Sequence, residues 1–492
     1  MGKNSKYYGE NGIHRVPLWR IGGFALNNTA TNLYLFMMNY VAYYLTGFVG
    51  VAVVTASSFA MMMRIWDGVT DPFIGYVVDK TNGKFGKNRP FMIIGNVILA
   101  VMSFILFHVT HLLPENVAVR YAFFIICAAI YYIGYTFQCV VTKSAQTCLT
   151  NDPKQRPLFS VFDAVYNTIL FTVMAIFGAN LGAKYGTYED LGVFHELWLL
   201  VVITSAIFTL IAVISIAPKD RAEFFGTGEV VRVRLRDYWD TIKNNRAIQM
   251  LIVSASTDKL ATSAKTSTVT VVLFAVLAGN IKLQGSLTGL VSIPTVFLCI
   301  FAISTLATKL GMRKAMLIGS IGGIVANALL ALLWMFGDPT TMSNAEGGLN
   351  WGFFTIAYVL LSVAFGGFQG ISGNIVIPMT ADCADYEVYR TKRYVPGMMG
   401  TLFSFVDKVI SSFAPMIAGL MFAAIGFKDK MPDVGTPYSD ELKYVAIFLS
   451  YGIVILGLIC NLVALKFYPL TKEKMAEIQA EIARIKAENT AK

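Results

Sequence analysis

The sequence predicts an all-α, polytopic membrane protein: twelve transmembrane helices in two pseudo-symmetric six-helix bundles. Three observations carry this expectation. Only 14% of the 492 residues are charged against 55% hydrophobic, where a soluble domain has about 25% charged. Apolar runs of about 20 residues or more, the length that crosses a bilayer core, recur between charged or Gly/Pro breaks. The longest polar segment, 218–246, divides those runs six and six, which suits a transporter built from internal repeats with its substrate site at the midplane. The expected organisation is an N-terminal bundle (1–217), a central loop (218–246), a C-terminal bundle (247–470) and a tail (471–492). This composition excludes a soluble enzyme, a secreted disulfide scaffold and a disordered chain.

The first span, 18–47, follows a polar stretch with no small-residue cleavage site, so it reads as a retained helix rather than a signal peptide. Asn27, Asn28, Thr31 and Asn32 give it a polar face, suited to a hydroxylated ligand or to hydrogen bonds between helices. The second, 52–78, carries Arg64, Asp67 and Asp71 and ends in a basic loop, 75–89. The third and fourth are 91–112 and 120–149, the fifth 158–183 and the sixth 196–217. Lys143 in the fourth and Asp163 in the fifth are weaker candidates that could pair with each other. The seventh, 247–278, contains the polar stretch 254–268 with Asp258, Lys259 and Lys265, and reads as an interrupted or cavity-facing helix. The eighth, 284–307, ends in a shorter basic loop, 309–314, which echoes the loop after the second. The ninth and tenth are 314–336 and 351–380. The eleventh, 397–426, carries Asp407 and Lys408, and the twelfth is 441–468. In the tail, Met475, Ile478, Ile482 and Ile485 fall at 3–4–3 spacing and predict a short amphipathic helix, expected as a solubilising appendage.

Of the 40 Lys and Arg, 29 fall on the side of the leader and tail, 6 on the other side and 5 inside spans. Cytoplasmic loops carry the basic excess, so both termini are expected in the cytoplasm of a cell that holds the chain in its plasma or inner membrane. The net charge of +10 is therefore an orientation signal rather than a nucleic-acid footprint. The six Cys are scattered and mostly within spans, with no CxxC and no Cys/His pairing, so neither a metal site nor a disulfide framework is implied. The four His form no evident catalytic set. No nucleophile–base constellation and no phosphate loop occurs, which argues against an enzyme.

Ionisable groups inside a bilayer are costly and mark function by default. Ten lie within spans, five basic and five acidic. The sharpest cluster is Arg64, Asp67 and Asp71, whose spacings of three and four put them on one helix face. Two carboxylates one turn apart repel each other unless something neutralises them. A bound Na⁺ does this through hard oxygen ligands, as does a proton on one acid or a pairing of Arg64 with Asp67. Asp407 and Lys408 are adjacent, so only one can face a cavity centre. Lys408 is the candidate to pair with a carboxylate of the second span or to bind substrate. Tyr34, Trp66 and Tyr135 lie near these groups and could stack on a sugar face.

At these residues the chain resembles the glycoside–pentoside–hexuronide:cation symporters, the melibiose-permease-like branch of the major facilitator superfamily. Four stretches carry the resemblance: Arg64-Ile-Trp-Asp67-x-x-x-Asp71-Pro72-x-x-Gly75, Asn151 to Arg156, Ala381 to Glu387, and Gly400 to Lys408 with the following Ser411 to Ala414. It implies alternating-access symport of a sugar or glycoside with Na⁺, H⁺ or Li⁺ and no other cofactor, by a monomer in the lipid bilayer. Asp67 and Asp71 match the family's cation-site carboxylates (metal ligands if the cation is Na⁺), and Thr136 matches a cation-site hydroxyl. Thr70 stands where the melibiose permease has an amide. Lys408, with Ser404 nearby, matches the functional stretch of span eleven. On the sugar side the chain departs: Thr31 or Asn32 and Cys139 stand where the melibiose permease has aspartates, Lys143 lies near its tryptophan position, and Asp163 falls near an expected basic residue. Galactoside specificity therefore does not carry over, and the rival reading is a cation-coupled carrier of an amphipathic or anionic non-sugar, such as a lysolipid, on the same fold.

Overall fold

The computed structural model describes residues 15–81, 83, 85–150, 155–221, 243–302, 306, 308–391, 406 and 408–490. These are helical, with two isolated β-bridges and no strand among them. In chain order the main helices are α1 Leu18–Met38, α2 Val53–Lys80, α3 Arg89–Phe104, α4 Val117–Ser144, α5 Arg156–Tyr185, α6 Leu191–Ile216, α7 Arg246–Ser263, α8 Ser267–Leu277, α9 Lys282–Ala302, α10 Met312–Phe336, α11 Phe353–Thr391, α12 Ala414–Ala424, α13 Asp440–Phe467 and α14 Lys472–Thr490. The chain falls into two compact units, Met1–Glu229 with Phe427–Met431, and Val230–Gly426 with Pro432–Lys492.

Seven of the described helices are long and apolar enough to cross a membrane, or eight when α7 and α8 are counted as one bent span. Twelve were expected. α1 and α2 fall outside that count for a physical reason. Their polar faces and, in α2, Arg64, Asp67 and Asp71 lower the apolar content of any window along them. Much of the eleventh expected span lies outside the described residues. Two boundaries differ from expectation, and one expected interruption is present. The first span ends as a helix at Met38 and continues through Val41–Tyr44 and a wide turn at Leu45–Val49. α11 runs to Thr391 rather than 380. The polar stretch of the seventh span is interrupted, with α7 and α8 meeting at 49°.

In the first unit α1 packs along α6 and α5, α2 along α4, and α3 along α4 and α6. Lipid gives no hydrophobic drive for this packing, so close backbone approach matters. Gly95 of α3 and Gly134 of α4 supply it, since a Cβ on either would come within 3.0 Å of the other's carbonyl oxygen. The polar residues of α1 serve mainly as glue. Asn27 Nδ2 donates to Thr142 Oγ1 at 2.8 Å, and Asn32 Nδ2 donates to Asn167 Oδ1 at 2.8 Å.

One end of this unit is locked by a residue that periodicity did not single out. Asp220, just past α6, is fully buried. Its carboxylate accepts from the backbone N–H groups of Lys87, Asn88 and Arg89 at 3.0–3.1 Å and from Asn88 Nδ2 at 2.9 Å. It thus caps the positive end of α3. The carboxylate comes so close to Gly86 that an added Cβ would collide with it, and Gly86 turns with φ +89°, a conformation that favours glycine. The corresponding basic loop of the second unit turns through Gly311 at φ +84°, immediately before α10.

In the second unit α11 packs on α10 and α9, and α7 packs on α13. Asn245 caps α7 and donates to Glu387 Oε2 at 2.9 Å. Glu387, itself buried, also accepts from Arg390 at 2.8 Å. The C-terminal segment forms the expected amphipathic helix, but as a docked element rather than a solubilising appendage. α14 docks along α11, with Ile478 fully buried and Met475 packed against the same core. Lys474 lies over the Tyr389 ring, and Tyr389 donates its hydroxyl to Glu477 at 3.0 Å.

Replacing Asp220 by Ala strands the N–H groups of Lys87, Asn88 and Arg89 at the start of α3, of which that of buried Asn88 costs about 1–3 kcal/mol when unsatisfied. The expected result is a clear fall in the melting temperature of the detergent-solubilised protein, with Asp220→Asn intermediate; melting within a degree of the parent for both variants would rule out this lock.

Candidate functional site

The charged face of α2 is the centre of the candidate site. Helix α2 runs unbroken through the motif, so Arg64, Asp67 and Asp71 stand on successive turns of one face. Asp67 is almost wholly buried. Thr136 of α4, also buried, donates its hydroxyl to Asp67 Oδ1 at 2.8 Å, with the Tyr132 carbonyl 2.9 Å away as its second partner. Thr70 is turned back into its own helix and donates to the Asp67 carbonyl oxygen at 3.1 Å. Asp71, one turn on, is half-buried.

Arg64 is the cationic counterweight. Its guanidinium hydrogen-bonds Tyr135 and lies within electrostatic reach of Asp67 and Tyr132. Tyr135 in turn contacts Cys139. A buried carboxylate beside a guanidinium and a hydroxyl is tolerated in a low-dielectric surrounding because the charge is paired and hydrogen-bonded. The second carboxylate, Asp71, brings the face to one positive and two negative groups. That surplus is what a monovalent cation or a proton would neutralise. The oxygen set of two carboxylates and the Thr136 hydroxyl is the hard donor chemistry that Na⁺ prefers over sulfur or imidazole. Among the described residues no group of three or more His, Cys, Asp or Glu gathers elsewhere as a metal cluster.

The other expected site residues scatter. Thr31 is buried and donates to the Asn27 carbonyl in its own helix at 2.9 Å, while Asn32 is held by Asn167. Asn28 pairs with Asp163 across α1 and α5. Asp163 therefore does not pair with Lys143, which is exposed near the end of α4. An amide partner within reach of α5 won over a lysine whose long stem carries its ammonium outward. Cys139 is half-buried beside Tyr135. Tyr34 is wholly buried with its hydroxyl accepting from Ser205 and is thereby occupied in packing, whereas Trp66 is exposed and donates to the Ala129 carbonyl. Lys408 stands half-buried at the start of the described part of span eleven. Ser404 and Asp407 lie outside the described residues, as does 151–154 of the second motif. In the second unit Asp258 is buried and accepts from Gln369 Nε2 at 2.7 Å, and Lys259 is exposed. The partnership of Asp258 with Gln369 and that of Glu387 with Asn245 went unforeseen, because each joins helices more than 100 residues apart.

Comparison with known proteins agrees with this architecture. Residues 23–472 match the family described as MFS/sugar transport protein. The chain is 24% identical to the glucuronide carrier protein homolog of Escherichia coli over 94% of its own length and 95% of that protein. It is 23% identical to the isoprimeverose transporter of Lactiplantibacillus pentosus, over 94% and 91%. Among solved structures it superposes on the nucleoside transporter NupG with TM-score 0.57 at 13% identity, covering 90% of this chain and 99% of that one. A POT family transporter in complex with 5-aminolevulinic acid gives TM-score 0.59 at 12% identity, covering 94% and 99%. These two likenesses show the fold, that of the major facilitator superfamily. With its polytopic helices and a family match spanning nearly the whole chain, this protein belongs to the MFS/sugar transport protein family.

Proposed function

We propose that this chain is a secondary transporter that carries a sugar or glycoside together with a monovalent cation, by alternating access, as a monomer in the cell membrane with both termini in the cytoplasm. The observation that carries the reading is the face of α2, where Asp67 is buried, hydrogen-bonded by Thr136 and followed one turn later by Asp71. The relatives support the cargo, since those named above are a glucuronide carrier homolog and an isoprimeverose transporter. No observation favours the lysolipid-like alternative.

In this reading Asp67, Asp71 and Thr136 hold the cation (Na⁺, Li⁺ or H⁺), and Thr70 stiffens the turn between the two acids. Arg64 keeps Asp67 ionised and oriented when the cation is absent. Lys408, with Ser404, is assigned to substrate binding or coupling, and Asn28, Thr31, Asn32, Cys139, Lys143 and Asp163 to positions that shape the sugar path. Cation binding relieves the repulsion between the two carboxylates and so favours the state that takes up sugar. By linkage, sugar then tightens the cation by the same factor.

The test is counterflow in proteoliposomes across a panel of sugars, with Na⁺, Li⁺ and pH varied independently. Asp67→Asn and Asp71→Asn are expected to abolish cation-stimulated uptake while the protein remains folded and inserted; sugar uptake with unchanged cation dependence in both variants would sink the assignment. Thr136→Ala removes one charge-assisted hydrogen bond, worth about 1.5–3 kcal/mol. Its expected effect is a rise of about tenfold or more in the cation concentration for half-maximal uptake, with the sugar KM at saturating cation little changed.

A further inference from the structure

At one end of the first unit two histidines face each other, and the proposed transport cycle uses neither. Past Phe104 the chain of α3 continues through a wide turn at Ile105–Val109, which carries His108. Single wide turns of this kind inside helices recur at functional sites. The apolar run that begins with α3 ends at Leu112, and α6 begins at Leu191. His108 and His195 therefore each lie about one helical turn inside the membrane boundary. His108 Nε2 stands 3.2 Å from His195 Nδ1.

The buried ring of the pair is held in place. His108 lies flat on Phe104, with ring centroids 4.8 Å apart and planes at 10°, and meets Trp198 edge-on at 5.3 Å. Trp198, one turn after His195, donates its indole N–H to Ser103 Oγ at 3.1 Å and so ties α6 to α3. His108 Nδ1 is enclosed, which makes Nε2 the nitrogen that meets a partner. His195 is exposed, so the pair is reached from outside the protein. The neighbouring carboxylate, Glu196, is held by Lys184 and Tyr185.

Two neutral imidazoles joined by one hydrogen bond share one proton between two basic nitrogens. A transition-metal ion satisfies both lone pairs at once, and imidazole is the side chain that most often does this. Two nitrogens held about 2.0–2.1 Å from a tetrahedral Zn²⁺ lie about 3.3 Å apart, close to the 3.2 Å of this pair. The rings need to turn their lone pairs to a common point, but not to separate. His195, as the exposed ring, can move its proton to its other nitrogen through water. We propose that His108 and His195 bind one Zn²⁺ ion, with water in the remaining positions, and that the ion staples the end of the α3 segment to the start of α6. The site lies wholly in the first unit. It shares no residue with the carboxylates of α2, whose hard oxygen donors suit a different class of cation.

The test is calorimetric titration of Zn²⁺ into metal-free, untagged, full-length protein in detergent, with Mg²⁺ as the hard-cation control. No sugar and no gradient are present, so the outcome is independent of the transport reading. Saturable Zn²⁺ binding is expected, with a melting temperature that rises with Zn²⁺ concentration. His195→Gln removes one of the two protein ligands; it is expected to weaken binding about tenfold or more and to remove the Zn²⁺-dependent rise in melting temperature. His108→Gln is expected to do the same, and if it does not fold, the exposed His195 position carries the test alone. His111, a neighbouring imidazole bonded to Tyr44, is the control: His111→Gln is expected to bind Zn²⁺ within about threefold of the parent. No saturable Zn²⁺ binding to the parent would overturn the proposal. So would binding unchanged in His195→Gln, a loss as large in His111→Gln as in His195→Gln, or displacement of Zn²⁺ by Mg²⁺ at equal concentration.

Discussion

A charge removed from water must find its partner inside the protein, and in this chain that constraint orders nearly everything else. Asp67 meets it with Thr136 and with Arg64 on its own helix. Asp220 meets it with three backbone amides at the start of α3. Asp258 and Glu387 meet it with the amides of Gln369 and Asn245. Each carboxylate therefore joins two helices, and the joints are directional where apolar contact between helices in lipid is not. Two of them, Asp220 and Glu387, lie near the ends of α6 and α11 and hold loops and helix starts in register. The one on α2 sits mid-helix beside a second acid, which makes it responsive to an added cation.

That difference separates structural from functional charge. Asp220 is saturated by five donors, so a cation would find little to do there. On α2 the balance is one guanidinium against two carboxylates within two helical turns. In the proposed cycle the cation supplies the balancing positive charge, and the cost of leaving the two acids unneutralised becomes the force that couples cation to sugar.

Much of this was legible in the sequence. Hydropathy located seven of the twelve expected spans, or eight with the bent pair, among the described residues because the bilayer fixes their length, and the 3–4 spacing of Arg64, Asp67 and Asp71 placed them on one face because the helix repeat does so wherever the helix packs. The polar residues of 254–268 announced the break at α7 and α8. What failed to show were the partners. Asn32 reads as a ligand-binding amide until Asn167, 135 residues away, is beside it. Asp163 reads as the mate of Lys143 until packing gives it Asn28. Asp220 looks like one more charge in a polar loop, since its donors lie 131–133 residues earlier. The tail's apolar spacing was visible, but not that Ile478 would be buried against α11. Periodicity reports which face a residue is on; the identity of what faces it depends on how helices distant in sequence are packed.

The central claim is that a cation held by the α2 carboxylates and sugar bind with shared free energy. Its most direct test is to titrate sugar into the purified protein with and without saturating cation, and cation with and without saturating sugar, in the parent and in Asp67→Asn. The account predicts that each ligand tightens the other by one common factor in the parent, and that this factor falls to one in the variant. Coupling that persists undiminished in Asp67→Asn would contradict it.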